Sequence, residues 1–147
     1  MRRSLLLLLV LVFAYSLSAC AENIPITGPT GTLSVEDQAS LLAVLQAAGA
    51  TIETGDPITQ DFFSIEGQTV KLNGADLQVF EYADAAAMEQ DASLVAPDGG
   101  SIGTSMVTWI DPPHFYKAGR IIVLYLGSDQ AILDLLNKVL GPQFAGQ

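Results

Sequence analysis

Two β-hairpins, each followed by a helix, are the feature that most constrains the fold of this chain. Asn73-Gly74 separates two runs rich in strand-forming residues, and Ala118-Gly119 does so a second time. Asn-Gly at such a place favours a tight hairpin turn, because both residues accept a positive φ. A helix pattern follows each hairpin, beginning at Asp84 and at Ser128 or Asp129. This order predicts an α+β domain with a mostly antiparallel sheet.

One more helix and two more strands complete the predicted order of elements. Ser34 is expected to cap the first helix, because its hydroxyl can accept from the free N–H groups of the first turn. Leu41 and Leu45 belong to the apolar stripe of that helix. Short strands are predicted at residues 51–54 and 106–110. We therefore expect about three helices packed on one face of the sheet.

The two hairpin–helix units align without a gap. Gly74 falls on Gly119 (119 − 74 = 45), and Asp84 falls on Asp129 at the same offset. Few residues are identical, so a duplicated ββα unit and a merely shared architecture both account for the match. A duplication requires matching strand positions in the two halves.

The chain is strongly acidic. Sixteen Asp and Glu residues stand against six Lys and Arg residues, and Arg2 and Arg3 belong to the N-terminal segment. Residues 20–147 therefore carry a formal net charge of 4 − 16 = −12. Such a surface repels nucleic-acid phosphates and anionic lipid headgroups, which excludes DNA or RNA as a partner. Cationic partners, calcium binding and simple solubility stay open.

The N-terminus combines two arginines, an apolar run and small residues before a cysteine, as a signal peptide does. The apolar run at residues 5–14 is shorter than the roughly 20 residues of a membrane-spanning helix. Leu17-Ser18-Ala19-Cys20 resembles the lipobox of bacterial lipoproteins, in which the cysteine becomes the lipidated first residue of the mature chain. The resemblance implies a signal peptide at 1–19 and a membrane attachment through Cys20. It also implies a location on the outer side of the plasma membrane or in the outer membrane.

An ordinary signal peptidase site is the alternative. Ala19-Cys20-Ala21 has the A-x-A form, and cleavage there would release an unlipidated protein. Cys20 is the single cysteine of the chain, so no internal disulfide can form. A lipid on the sulfur accounts for a lone exported cysteine at this position.

The remaining chain divides into a tether, one domain and a tail. Residues 20–33 contain Pro25, Gly28, Pro29 and Gly31, which interrupt regular structure. The thirteen residues after Cys20 would span about 20 Å as a flexible coil. We expect a single α+β domain at 34–142, ended by a Gly-Pro pair, and a C-terminal tail at 143–147.

Two patterns within the domain resemble small uncharacterised exported bacterial proteins. The first is F-x-Y-A-D, present here at residues 80–84. The second is P-H-F-Y-x-x-G-x-x-x-x-L-Y, present at residues 113–125. The resemblance covers most of the mature chain and implies export, but no activity.

Catalysis by a Ser-His-Asp system would have to use His114, the single histidine, with an acid such as Asp111. The nucleophile would come from Ser101, Thr104 or Ser105, and none of them stands in a G-x-S-x-G sequence. A histidine at a strand edge after Pro-Pro is the simpler interpretation. We therefore predict no catalytic residues.

Metal and cofactor sites are not indicated either. One histidine and one cysteine cannot form the paired ligands that zinc prefers. The chain lacks a calcium loop of the D-x-[DN]-x-[DN]-G type, so its acids read as turn and surface residues. The glycine-rich loop at 98–104 lacks the lysine and spacing of a phosphate loop.

The function that this sequence favours is that of a lipid-anchored binding or scaffolding domain. A small carboxylate-based hydrolase and an accessory subunit of an envelope complex are the alternatives. A binding surface is expected beside the 98–105 loop, where aromatic and polar side chains gather in the sequence. Its candidate residues are Trp109, His114, Tyr116, Asp98 and Ser101.

Overall fold

The computed structural model describes residues 34–147, which form a sheet with three helices. The helices are α1 (Gln38–Ala47), α2 (Ala85–Ala92) and α3 (Gln130–Leu140). The strands are β1 (Ile52–Thr59), β2 (Glu66–Leu72), β3 (Ala75–Glu81), β4 (Ser101–Ile102), β5 (Ser105–Met106), β6 (Pro113–Ala118), β7 (Ile121–Leu126) and β8 (Ala145–Gly146). Six strands form an antiparallel sheet in the order β1-β2-β3-β7-β6-β8, and β4 and β5 form a separate two-stranded sheet. The α+β class and the antiparallel sheet are confirmed.

The helices lie on both faces of this sheet, which corrects the expectation that they share one. Side chains such as Val79 and Val123 point to one face, where they pack with Leu41 of α1 and Leu136 of α3. We call this the α1/α3 face. Neighbouring side chains, among them Ile122, point to the opposite face, where they pack with α2 and the chain that follows it. We call this the α2 face. The strands carry apolar residues on both faces, so a one-sided arrangement would expose half of them.

The first hairpin turns as predicted. Leu72 pairs with Ala75, and Asn73 and Gly74 between them have φ values of 51° and 90°. These values match a type I′ turn, whose twist fits that of the flanking strands. The second hairpin is displaced by one residue from the prediction, because Ala118 pairs with Ile121 and the turn is Gly119-Arg120.

The two ββα units exist, but their side chains do not superpose. The offset of 45 residues matches Leu77 with Ile122 and Val79 with Leu124. Leu77 and Val79 face α1 and α3, whereas Ile122 and Leu124 face α2. Aligned positions thus lie on opposite faces of the sheet, and the helices of the two units do as well. The strands of the two units nevertheless match within two residues at this offset, as a duplication requires. The one-residue displacement of the second hairpin moves the aligned strand residues to opposite faces, so duplication and shared architecture both still account for the match.

Aspartate caps all three helices. Asp84 caps α2 as predicted, and Asp129, one of the two residues predicted, caps α3; both side chains accept from N–H groups of the first turn. Asp37, rather than Ser34, caps α1, where it accepts from Ser40 N while the Ser40 hydroxyl accepts from Asp37 N. This reciprocal pair satisfies free donors at the helix start. The Ser34 hydroxyl donates instead to Glu36 Oε1.

Three other boundaries differ from the sequence-based expectation. β1 continues to Thr59 through a bulge between Thr54 and Pro57, where we expected the strand to end. Residues 107–110 form no strand. The expected tail belongs to the domain, because β8 pairs with β6 and Ala145 is buried.

No helix in the described part of the chain is long and apolar enough to cross a membrane.

Candidate functional site

The segment of residues 107–112 crosses from the β4–β5 hairpin to β6 without joining a sheet. Val107 N donates to Gly100 O at the start of the segment, and Pro112 O accepts from Gly127 N at its end. Pro112 and Pro113 have no N–H to donate, so the segment cannot continue into β6 as one regular strand. We call residues 107–112 the crossing segment.

Trp109 anchors the crossing segment on the α2 face. Its indole Nε1 donates to Gly99 O at 2.7 Å. Its ring makes edge-to-face contacts with Phe62 and Phe115, each with 5.8 Å between ring centroids. Edge-to-face pairs of this kind add about 0.5–1.5 kcal/mol beyond the burial of area. Trp109 is thus half-buried and holds the middle of the segment in place.

A buried carboxylate fixes the loop that carries Phe62. Asp91 Oδ2 on α2 accepts from Ser64 N and Ser64 Oγ, both at 2.8 Å, and from the Tyr82 hydroxyl at 2.9 Å. Burial, together with this hydrogen bond, raises the pKa of Tyr82. The Asp91 contacts join the loop to α2 and to the end of β3, and so support the aromatic contacts of Trp109.

Ile110 projects into solvent next to the anchored tryptophan. Its side chain is 89% exposed, whereas Val107 and Trp109 on the same segment are half-buried. Ile110 and Asp111 line two cavities, of about 450 Å³ and 380 Å³. The larger cavity is also lined by Asp98, Trp109 and Pro113, and the smaller by residues of β3 and β7. An apolar side chain thus stands between two open grooves.

Carboxylates border both grooves. Asp98 and Asp111 line the larger one, and Asp76 and Asp111 line the smaller one. Asp98 Oδ1 accepts from Gly100 N at 2.9 Å, and Asp76 pairs with Lys71 at 2.8 Å. No lysine or arginine of the described chain lines either groove. Asp98 and Asp111 therefore present negative charge beside the apolar Ile110, whereas the charge of Asp76 is paired with Lys71.

His114 is not at this surface, which corrects its inclusion in the candidate binding site. It is 5% exposed, its Nδ1 lies 2.6 Å from Gln143 Oε1, and its Nε2 lies 3.0 Å from Gly127 O. The ring also stacks on Tyr125. Both nitrogens are therefore engaged inside the domain, where His114 joins β6 to the chain on either side of α3.

Tyr116 is also internal, and its hydroxyl has no hydrogen-bond partner in the described chain. The residue is 0% exposed on the α1/α3 face, and burial raises its pKa. Among the predicted site residues, Trp109 and Asp98 line the larger groove. Ser101 is half-buried in β4 and lines neither groove. His114 and Tyr116 are thus buried, and only Trp109 and Asp98 of the five candidate residues line a groove.

Tyr116→Phe is expected to raise the free energy of unfolding by about 1 kcal/mol, because it removes a buried hydroxyl that gains no hydrogen bond. Tyr82→Phe is the matched control, since the Tyr82 hydroxyl donates to Asp91. That change should lower the free energy of unfolding by about 1–3 kcal/mol. Urea denaturation of the two variants measures both values. Destabilisation by Tyr116→Phe would show that its hydroxyl is satisfied.

Ile110 was not among the predicted site residues, and Asp111 was considered only as the acid of a Ser-His-Asp system. Ile110 was assigned to a strand, where an isoleucine is expected to be buried. The available signal was Pro112-Pro113, which stands directly after the segment and prevents its pairing from continuing into β6.

Within residues 34–147, no group of three or more His, Cys, Asp and Glu side chains is placed to hold a metal ion.

Comparisons with protein-family models, with curated proteins and with solved structures found no significant match to this chain.

Proposed function

We propose that this chain is an exported lipoprotein whose folded domain binds a protein partner through the crossing segment. The observation that carries the binding part is Ile110, an isoleucine 89% exposed between two grooves and next to the anchored Trp109. Single exposed apolar residues are common on protein surfaces. A rigidly supported isoleucine between two grooves has the form of an interface anchor, because little conformational entropy is lost when a partner buries it.

The buried position of His114 argues against a hydrolase that uses this ring. A hydrolase that uses His114 as acid or base needs that ring at a site open to substrate. His114 is buried, and oxygen atoms of Gln143 and Gly127 lie within hydrogen-bond distance of its two nitrogens. An accessory role in an envelope complex is compatible with this proposal, since such a subunit also works by binding a protein.

The sequence of residues 1–20 supports the anchoring part of the proposal. Lipidation of Cys20 would hold the domain at a membrane, with thirteen residues between the cysteine and Ser34. The binding surface would then be displayed outside the plasma membrane. A second signal, such as another acyl chain, makes an attachment of this kind stable, because one chain alone binds reversibly.

Cys20→Ser is expected to move the protein from the membrane fraction to the soluble fraction, because no thiol remains to carry a lipid. Fractionation of host cells followed by immunoblotting measures the distribution, and Ser18→Ala is the control that keeps the cysteine. The intact mass of the detergent-extracted protein should equal that of residues 20–147 plus acyl groups. An unlipidated chain that begins at Glu22 would contradict the anchor.

A photo-crosslinking amino acid at position 110 is expected to form a covalent adduct with one discrete partner in intact host cells. The same amino acid at Gln46, an exposed position on α1, is the matched control because α1 packs on the other face of the sheet. Immunoblotting and mass spectrometry detect and identify the adduct. Equal labelling from the two positions, or none from position 110, would contradict binding at the crossing segment.

A further inference from the structure

The backbone in the middle of the crossing segment, at residues 108–111, is unpaired within the described chain. Residues 108–111 make no backbone hydrogen bond to any residue of the 34–147 domain, although their neighbours on both sides do. Thr108, Ile110 and Asp111 are exposed, so water can reach this stretch. A partner's main chain can replace that water without breaking a bond inside the domain.

The residues of this stretch are those that favour a strand. Val107, Thr108 and Ile110 are β-branched, and Trp109 is aromatic. Burial alternates along them, with Val107 and Trp109 half-buried and Thr108 and Ile110 exposed. The segment also follows directly from β5, which is already paired with β4. Residues 107–110 therefore have the composition and the side-chain alternation of a strand that lacks a neighbour, and the chain bends at Ile110 and Asp111.

We infer that an extended, basic peptide segment of a partner protein adds to residues 107–110 as a β-strand, with an apolar side chain against Ile110. This inference rests on the binding function proposed above, and it names the chemistry and the geometry of the partner. In strand addition, main-chain hydrogen bonds supply affinity, and grooves for alternate side chains supply specificity. The two grooves beside Ile110 are placed for that second purpose.

The negative charge around the larger groove favours a basic partner. Asp98 and Asp111 border the larger groove, and no lysine or arginine lines it. Three of the four basic side chains in the described chain already pair with carboxylates of their own domain: Lys71 with Asp76, Lys117 with Glu89, and Arg120 with Glu81 and Asp37. The remaining carboxylates give the domain an uncompensated negative field, which attracts Lys and Arg and repels an acidic strand. A second copy of this chain is disfavoured for the same reason.

The test uses the detergent-extracted full protein and synthetic eight-residue peptides in which Lys and Val alternate. We expect saturable binding of the Lys-Val peptide by calorimetry, weakened at least threefold between 50 and 200 mM salt. The matched Glu-Val peptide should bind at least tenfold more weakly. Ile110→Ser should weaken binding of the Lys-Val peptide about tenfold. Leu94→Ser, at an apolar position that is 47% exposed and lines neither groove, should change it less than twofold.

N-methylation tests the strand geometry. Successive N–H groups of a strand point to opposite edges, so methylating alternate residues blocks one edge only. We expect one set of N-methyl groups to abolish binding of the Lys-Val peptide and the other set to leave it within threefold. An equal effect of both sets would overturn strand addition, and equal binding of the Lys and Glu peptides would overturn the choice of a basic partner.

The peptide results, taken together with crosslinking from position 110, distinguish failure of this inference from failure of the proposed function. Failure of every peptide, together with a specific adduct from position 110, would overturn the inference and leave a protein interface at Ile110. Failure of both would overturn the proposed binding function itself. A dimer of this chain that is lost in Ile110→Ser, measured by sedimentation, would replace the basic partner with a second copy.

Discussion

Replacing Leu136 with alanine is expected to lower the free energy of unfolding by about 2–5 kcal/mol. Leu136 on α3 is 0% exposed and packs among the buried side chains of the α1/α3 face. Truncation to alanine loses the transfer free energy of three carbon atoms and leaves a cavity that the sheet cannot close. Urea denaturation monitored by circular dichroism gives the value.

Leu94→Ala is the matched control for this change. Leu94 follows α2 and keeps 47% of its surface exposed, so its truncation should cost less than about 0.5 kcal/mol. A loss below half a kilocalorie per mole for Leu136→Ala as well would mean that α3 does not pack on the sheet through this residue.

Replacing Gly119 with alanine is expected to destabilise the domain by more than about 2 kcal/mol. Gly119 has a φ of 51°, which costs an alanine about 1–2 kcal/mol by itself. A Cβ at this position would also lie less than 3.0 Å from the backbone of Glu36, whose carbonyl accepts from Arg120 N. Backbone atoms cannot rotate away as a side chain can. The turn would have to separate from the start of α1.

Gly74→Ala separates the two contributions. Gly74 also has a positive φ, of 90°, but a Cβ there meets nothing within 4 Å. Its replacement should therefore cost only the conformational strain, about 1 kcal/mol. Denaturation of the two variants under the same conditions measures the difference. Equal losses would mean that the contact between the second hairpin and α1 contributes little.

The contact at Gly119 also joins the first helix to the sheet. Arg120 pairs with Glu81 and lies 3.6 Å from Asp37, the residue that caps α1, and Glu81 Oε2 accepts from Gln38 N. The hydrogen bonds from Ser40 and the nearby Arg120 lower the pKa of Asp37. The second hairpin, the cap of α1 and β3 thus contact one another here, and the absence of a Cβ at Gly119 allows the turn to pack against the backbone of Glu36.

Local signals predicted the elements that depend on local chemistry. Asn73-Gly74 forms the predicted turn, and Asp84 caps the predicted helix. Each works through atoms within a few residues, so the sequence is sufficient to find it. The cap of α1 was wrong by three residues because Asp37 and Ser40 satisfy each other, an arrangement that competes with Ser34.

Which face of the sheet each helix covers could not be predicted from local sequence. The apolar run 121–125 is buried throughout and serves both faces, so its pattern does not say which face a given helix covers. A continuous buried run of this kind indicates a sheet covered on both sides, and that signal argued against placing all helices on one face.

The candidate site residues also could not be grouped from the sequence alone. Trp109 and His114 are five residues apart in sequence, yet the tryptophan packs on the α2 face and the histidine stacks on Tyr125 inside the domain. Alternation along β6 sends His114 and Phe115 to opposite faces, so closeness in sequence did not bring the predicted residues together. Trp109 and Asp98 meet at one groove because the indole reaches Gly99.

By itself, the sequence determined the α+β class, the first hairpin turn, two of the three caps, and the acidic character of the chain. These properties follow from composition or from contacts between close neighbours. Only the tertiary structure decided that α2 lies opposite α1 and α3, that His114 and Tyr116 are buried, and that Ile110 is exposed. The helix positions and the burial of His114 and Tyr116 depend on which distant residues cover each face of the sheet, and no local pattern contains that information. The exposure of Ile110 had only an indirect local signal, the Pro112-Pro113 pair that follows it.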